Sequence, residues 1–105
     1  MNEHKLRELM TQQGINLTED MSVEERALGW QRAVKIVLRP KDHSDRQCVR
    51  NLANWLVKQC NSGHLNEHEI FRRTLDFAIE ASGPESRNPY AVFITIVKKE
   101  LGYLK

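Results

Sequence analysis

Apolar residues recur every three or four positions along most of the chain, which is the spacing of amphipathic helices. The pattern predicts a short helix over residues 3 to 13, with Leu6, Leu9 and Met10 on one face, and four longer helices after it. The four stripes are Val23, Ala27, Trp30, Val34 and Val37; Val49, Leu52, Ala53, Leu56 and Cys60; Ile70, Phe71, Leu75, Ala78 and Ile79; and Tyr90, Phe93, Ile94, Val97 and Leu101. We therefore expect an all-α fold, a compact orthogonal bundle of about five helices.

Polar residues before each stripe mark the helix starts. Ser22-Val23-Glu24-Glu25 and Ser44-Asp45-Arg46-Gln47 have the form of capping boxes, and Asn66 and Asn88-Pro89 are favoured starts. Helix stops are predicted at Gly14, Pro40, Ser62-Gly63 and Ser82-Gly83-Pro84.

The last stripe belongs to a run from Tyr90 to Val97 that is apolar on nearly every side. Its composition also suits a buried strand. The cap with Pro89 and the polar residues Lys98-Lys99-Glu100 favour a helix. Because this helix is apolar around most of its circumference, we expect it to be the central element of the bundle.

The length and composition of the chain predict a single folded domain. The 105 residues, 40% hydrophobic and 29% charged, suit one folded domain. We expect residues 22 to 105 to form a single helical domain, preceded by a mobile helix and connector over residues 1 to 21. With 16 basic and 14 acidic residues, the net charge of +2 does not by itself demand a nucleic-acid or membrane partner.

The chain start and the cysteines bear on the compartment. The first residues lack the apolar core of a signal peptide, and no apolar run approaches the ~20 residues that span a bilayer. Cys48 and Cys60 lie far apart on one predicted helix and cannot bridge each other. We expect a cytoplasmic protein without a membrane partner.

Cysteines and histidines raise the question of a metal site. The candidate ligands are Cys60, His64 and His68, with Cys48 or His43 as a further ligand. Gly63 and the cap at Asn66 divide this set between elements, and Cys60 completes an apolar stripe. A buried thiol with exposed imidazoles near a turn accounts for the pattern better, so we predict no metal and no cofactor.

Acidic residues raise the question of catalysis. Glu24, Glu25, Glu67 and Glu69 lie in first helical turns, where capping and the helix dipole explain them. The chain has no phosphate-binding glycine loop, no G-x-S-x-G and no H-E-x-x-H. We predict a protein that is not an enzyme and has no small-molecule substrate.

Basic residues on the second and third of the five predicted helices suggest DNA as a partner. Arg32, Lys35 and Arg39 share one face of the helix that follows Ser22. The other candidate residues are Arg46, Arg50 and Lys58 on the next helix and Arg87 before the last one. Such rows suffice for phosphate contact, although solvated helix faces also carry lysine and arginine.

Residues 44 to 80 also have the outline of a helix-turn-helix, which would place the helix after Asn66 in a major groove. Glu67 and Glu69 would then meet DNA first and repel phosphate, while Arg72 and Arg73 come a turn later. The basic faces are the better candidate surface, with backbone contact and weak sequence specificity.

An alternative function is a protein-interaction or homo-oligomerisation module. It would bury an apolar patch containing Trp30, Trp55 or Tyr90, aromatic residues of the kind found in interaction hot spots. Tyr90 also follows Arg87 closely, and this pairing fits the same interpretation.

Residues 49 to 101 combine an asparagine- and tryptophan-rich helix, a capped helix ending in Ala78-Ile79-Glu80-Ala81, and Asn88-Pro89 before an aliphatic closing helix. This order resembles the C-terminal domain of bacterial primosomal helicase loaders. The closing tryptophan of that family has no counterpart after Lys98-Lys99. The resemblance implies an association with DNA replication or mobile elements.

Overall fold

Helices make up most of the computed structural model, which describes residues 3–15, 21–83 and 87–103. They are α1 (Glu3–Gln12), α2 (Val23–Leu38), α3 (His43–Asn61), α4 (Glu67–Ala81) and α5 (Pro89–Leu101). The described ranges contain no strand, so the predicted all-α fold is confirmed and the run after Pro89 is helical. The Cα radius of gyration of 12.9 Å is that of a compact domain.

Three of the predicted helix starts are confirmed by hydrogen bonds from side chain to backbone. Ser22 Oγ accepts from the Glu25 amide at 3.2 Å, and Asn66 Oδ1 accepts from the His68 amide at 2.9 Å. Asn88 Oδ1 accepts from the Ala91 amide at 3.2 Å, directly before Pro89. Each cap satisfies an amide that has no partner within its own helix.

The predicted cap at Ser44 is wrong, because α3 begins earlier and is capped by Asp42. Asp42 Oδ1 accepts from the Asp45 amide at 3.0 Å, and Asp45 Oδ2 accepts from the Lys41 amide at 3.0 Å. This reciprocal pair uses two carboxylates, whose charge interacts better with the helix N-terminus than a hydroxyl does. Ser44 lies inside the first turn.

The end of α2 is set by the proline that follows it. Arg39 caps the helix with φ 47° and ψ 91°, and its amide donates to the Lys35 carbonyl at 3.0 Å. Pro40 disfavours the helical conformation at the residue before it, which explains why Arg39 leaves the helix here.

The prediction that α5 is the central helix is wrong, because α2 occupies that place. Helix α2 packs against α1, α3 and α4, whereas α5 packs mainly against α4. Trp30, Ala33 and Val34 of α2 are completely buried, while Val92 of α5 is 38% exposed. The apolar sequence of α5 therefore does not show how many other helices pack against it.

Trp30 connects α2 to α4 and α5. Its ring packs edge-on against Phe71, with centroids 6.1 Å apart, and lies 6.4 Å from the ring of Phe93. Its indole Nε1 donates to Thr74 Oγ at 2.8 Å, and the Thr74 hydroxyl donates to the Ile70 carbonyl at 2.8 Å. Both polar groups of this buried pair are thus satisfied within the core.

Arg26 makes a second connection between α2 and α4, and its burial does not follow from the apolar stripe of α2. The residue is only 4% exposed. Its Nη1 donates to the Glu67 carbonyl at 3.0 Å and lies 3.3 Å from His68 Nδ1. A guanidinium can only donate, so Nδ1 is the acceptor in this contact.

Helix α1 contributes to the same core as the other helices. Leu6 is 3% exposed and Ile15, just after the helix, is 4% exposed. Arg32 Nη2 donates to the Gln13 carbonyl at 3.1 Å and adds a polar link to α2. The predicted mobility of residues 1 to 21 stays a prediction, and residues 16 to 20 of that connector lie outside the described residues.

Two tyrosines are buried near α3. Burial raises the pKa of Tyr90 far above its ordinary value; Asp45 and Cys48 raise it further, and Arg46 lowers it. Tyr90 is 6% exposed, and its hydroxyl has no hydrogen-bond partner among the residues that the structure describes. Burial also raises the pKa of Tyr103, whose ring packs edge-on against Trp55 with centroids 5.0 Å apart.

Thr74→Val should lower the free energy of unfolding by about 1–3 kcal/mol, because it leaves the buried indole N–H of Trp30 without an acceptor. Thr95 is a matched control, since its hydroxyl makes the same kind of bond to the Ala91 carbonyl at 2.8 Å but is exposed. Thr95→Val should change stability by less than about 0.5 kcal/mol. Urea unfolding followed by Trp fluorescence measures both; equal effects would contradict the role of Thr74.

Tyr90→Phe should raise the free energy of unfolding by about 1 kcal/mol at pH 7, since it removes a buried hydroxyl that has no partner in the described part of the chain. Above pH ~10 the unfolded chain ionises its tyrosines while the folded chain keeps them protonated, so stability falls as pH rises. Tyr90→Phe should reduce this alkaline slope by up to about 1.4 kcal/mol per pH unit.

Urea titrations from pH 7 to 11 test both effects of Tyr90→Phe. Tyr103→Phe is the comparison variant, because burial raises the pKa of that tyrosine as well. An unchanged alkaline slope in Tyr90→Phe would show that this hydroxyl ionises equally in the folded and unfolded chains.

Candidate nucleic-acid interface

A groove of about 460 Å³ lies between α1 and α2 and opens to solvent. The residues that line it are Leu9 and Gln13 from α1 and the turn after it, and Arg32, Lys35, Ile36 and Arg39 from α2 and its C-cap. The groove therefore combines three cationic side chains with two aliphatic ones and one amide.

The three cations meet at the C-terminal end of α2. Arg32 and Lys35 are three residues apart on the helix and project in similar directions, and Arg39, the C-cap residue, lines the same groove. The bond from Arg32 Nη2 to the Gln13 carbonyl holds that guanidinium beside the end of α1. The partial negative charge at the C-terminus of α2 offsets some of the repulsion among the cations.

The groove carries an excess of positive charge. None of the described residues that line it is acidic. Outside the groove, Arg73 pairs with Glu100, and the His4 and His68 imidazoles lie close to Glu8 and Glu67. Three cations thus face one space without a described carboxylate to neutralise them, which is an arrangement that attracts anions.

The other predicted basic residues do not line this groove. Arg46, Arg50 and Lys58 are exposed on α3, and Arg87 is exposed before α5. Arg46 is close enough to Tyr90 to influence its hydroxyl, which places it near the start of α5. Arg50 and Lys58 are separated by about 12 Å along α3. The structure therefore brings together three of the seven predicted residues.

Sequence reasoning missed the remaining groove residues. Leu9 was predicted as part of the apolar face of α1, whereas Gln13 and Ile36 had no predicted role. Ile36 is half-buried and packs against the core, and Leu9 is half-buried as well. Ile36 follows Arg32 by four residues, so helical spacing places it beside that cation, whereas the positions of Leu9 and Gln13 depend on how α1 lies on α2.

The cysteine and histidine cluster is divided among other contacts. Burial raises the pKa of the Cys60 thiol, the nearby Glu67 raises it further, and Arg26 lowers it. His64 Nδ1 lies 3.0 Å from Ser62 Oγ and 3.1 Å from Gln59 Oε1. Within residues 3–15, 21–83 and 87–103, no three His, Cys, Asp or Glu side chains are grouped to hold a metal ion.

The aromatic residues of the alternative hypothesis are mostly inside the molecule. Trp30 is completely buried and Tyr90 is 6% exposed, so neither can form a surface patch. Trp55 is half-buried against Tyr103. The large apolar side chains that are exposed in the described part of the chain are Leu28, at 63%, and Val92. Isolated exposed residues of this kind are common and do not indicate an interface.

No helix among the described residues combines the length and the hydrophobicity needed to cross a bilayer. Comparison with protein-family models, with curated proteins and with solved structures found no match to this chain.

Proposed function

We propose that this chain is a non-enzymatic DNA-binding domain that contacts the phosphate backbone through Arg32, Lys35 and Arg39. The observation that supports this is the convergence of these three cations on one open groove whose described lining has no acidic residue. Association with replication or mobile elements stays a prediction that rests on the resemblance of residues 49 to 101.

Phosphate is the anion that this arrangement suits best. An arginine guanidinium can donate two parallel hydrogen bonds to phosphate oxygens, and a lysine ammonium adds a compact charge. Two arginines flank one lysine along α2, so a nucleic-acid backbone that follows the helix can meet each of them in turn. Backbone contacts of this kind carry little sequence information, which predicts weak specificity.

Groove contacts also set the expected salt dependence. Binding that neutralises three phosphates should follow a log–log slope against salt of about −2 to −3. The exposed cations of α3 lie outside the groove, and their contribution should therefore be separable by mutation.

The double variant Arg32→Glu with Arg39→Glu should weaken DNA binding at least about tenfold and reduce the salt slope by about 2, because two phosphate contacts are lost. Fluorescence anisotropy with a labelled 20-mer of mixed sequence, as a single strand and as a duplex, at increasing NaCl measures both quantities.

Arg50→Glu with Lys58→Glu is the matched control, since it makes the same change in net charge at exposed positions on α3. This control should lose much less affinity than the groove variant. Circular dichroism and thermal unfolding establish that both variants remain folded. Equal losses in the two variants, or undetectable binding of the unmodified protein to either form of DNA, would contradict the proposed site.

A further inference from the structure

The groove contains more than a phosphate site requires. Phosphate contact needs cations, yet the side chains of Leu9 and Ile36 line the same space as Arg32, Lys35 and Arg39. Both aliphatic side chains are half-buried, so they still present apolar surface to the groove. A ligand that fills this groove should therefore carry an apolar face next to its negative charge.

We infer that the groove holds an unpaired nucleotide, with its base against Leu9 and Ile36 and its phosphates at the three cations. This inference rests on the proposed function and makes it narrower: the protein binds single-stranded nucleic acid in preference to a duplex. A nucleotide unites the two chemistries of the groove, because its base has an apolar face and its backbone is anionic.

The size of the groove agrees with this ligand. A volume of about 460 Å³ falls within the range of about 300–1,000 Å³ that small-molecule sites occupy. A base in a duplex is stacked and paired, and taking it out of the stack costs a few kcal/mol. A base in a single strand enters the groove without that cost.

The polar residues of the groove fit an unpaired base as well. The Arg32 guanidinium is held beside α1 by its bond to the Gln13 carbonyl, so it stays at the groove, where it can meet a phosphate of the nucleotide. The side-chain amide of Gln13 offers both a hydrogen-bond donor and an acceptor, which allows it to bond to the edge of any base. The groove should therefore accept all four bases with small differences.

Three probes of equal length distinguish the contribution of the base to binding from that of the phosphates. They are a labelled single strand of mixed sequence, the matching duplex, and an abasic single strand that keeps the phosphates. The single strand should bind at least about tenfold more tightly than either of the others. Fluorescence anisotropy at one fixed NaCl concentration gives the three dissociation constants.

Leu9→Ala tests the aliphatic wall. It should weaken binding of the normal single strand about fivefold and leave binding of the abasic strand unchanged, because only the base contacts Leu9. Leu28→Ala makes the same substitution at an exposed position of α2 outside the groove and should change neither constant. Leu9→Met keeps an apolar side chain of similar size and should retain the affinity of the unmodified protein.

The outcomes distinguish this inference from the proposed function. If the duplex or the abasic strand binds as tightly as the normal single strand, or if Leu9→Ala has no effect, the base does not enter the groove, although the phosphate site stands. If none of the three probes binds, the proposed function itself is wrong.

Discussion

The hydrogen bond from the Trp30 indole to the Thr74 hydroxyl is the constraint on which the arrangement of the helices depends. Both side chains are completely buried, so an unpaired N–H at this point would cost about 1–3 kcal/mol. The bond fixes the position of α2 along α4, because Trp30 must lie beside Thr74. Phe71 and Phe93 then pack around the same indole ring, which brings α5 into the core.

Arg26 sets the second point of contact between α2 and α4. Arg26 contacts Glu67 in the first turn of α4. Trp30 lies one turn further along α2 and contacts Thr74, which lies two turns further along α4. The two contacts therefore follow the same order along both helices. A buried guanidinium needs such partners because a charge without them is costly to desolvate.

The candidate interface is a consequence of this packing. Because α3 and α4 cover one side of α2, the side that carries Arg32, Lys35 and Arg39 is left to α1. Helix α1 covers it only in part: Leu6 enters the core, while Leu9 borders the groove. The result places Leu9 of α1 opposite the cations and Ile36 of α2, which completes an aliphatic wall that α2 alone supplies only in part.

The sequence by itself determined the five helices and most of their ends. Caps such as Asn66 act on amides two or three residues away, so a short window of sequence contains the whole interaction. The same holds for the cationic face of α2. Only the tertiary structure decided that Arg26 is buried, that α2 is central and that Leu9 joins the cations at the groove. Those outcomes depend on contacts between residues distant in the chain, and helical periodicity shows which face is apolar but not which neighbour covers it.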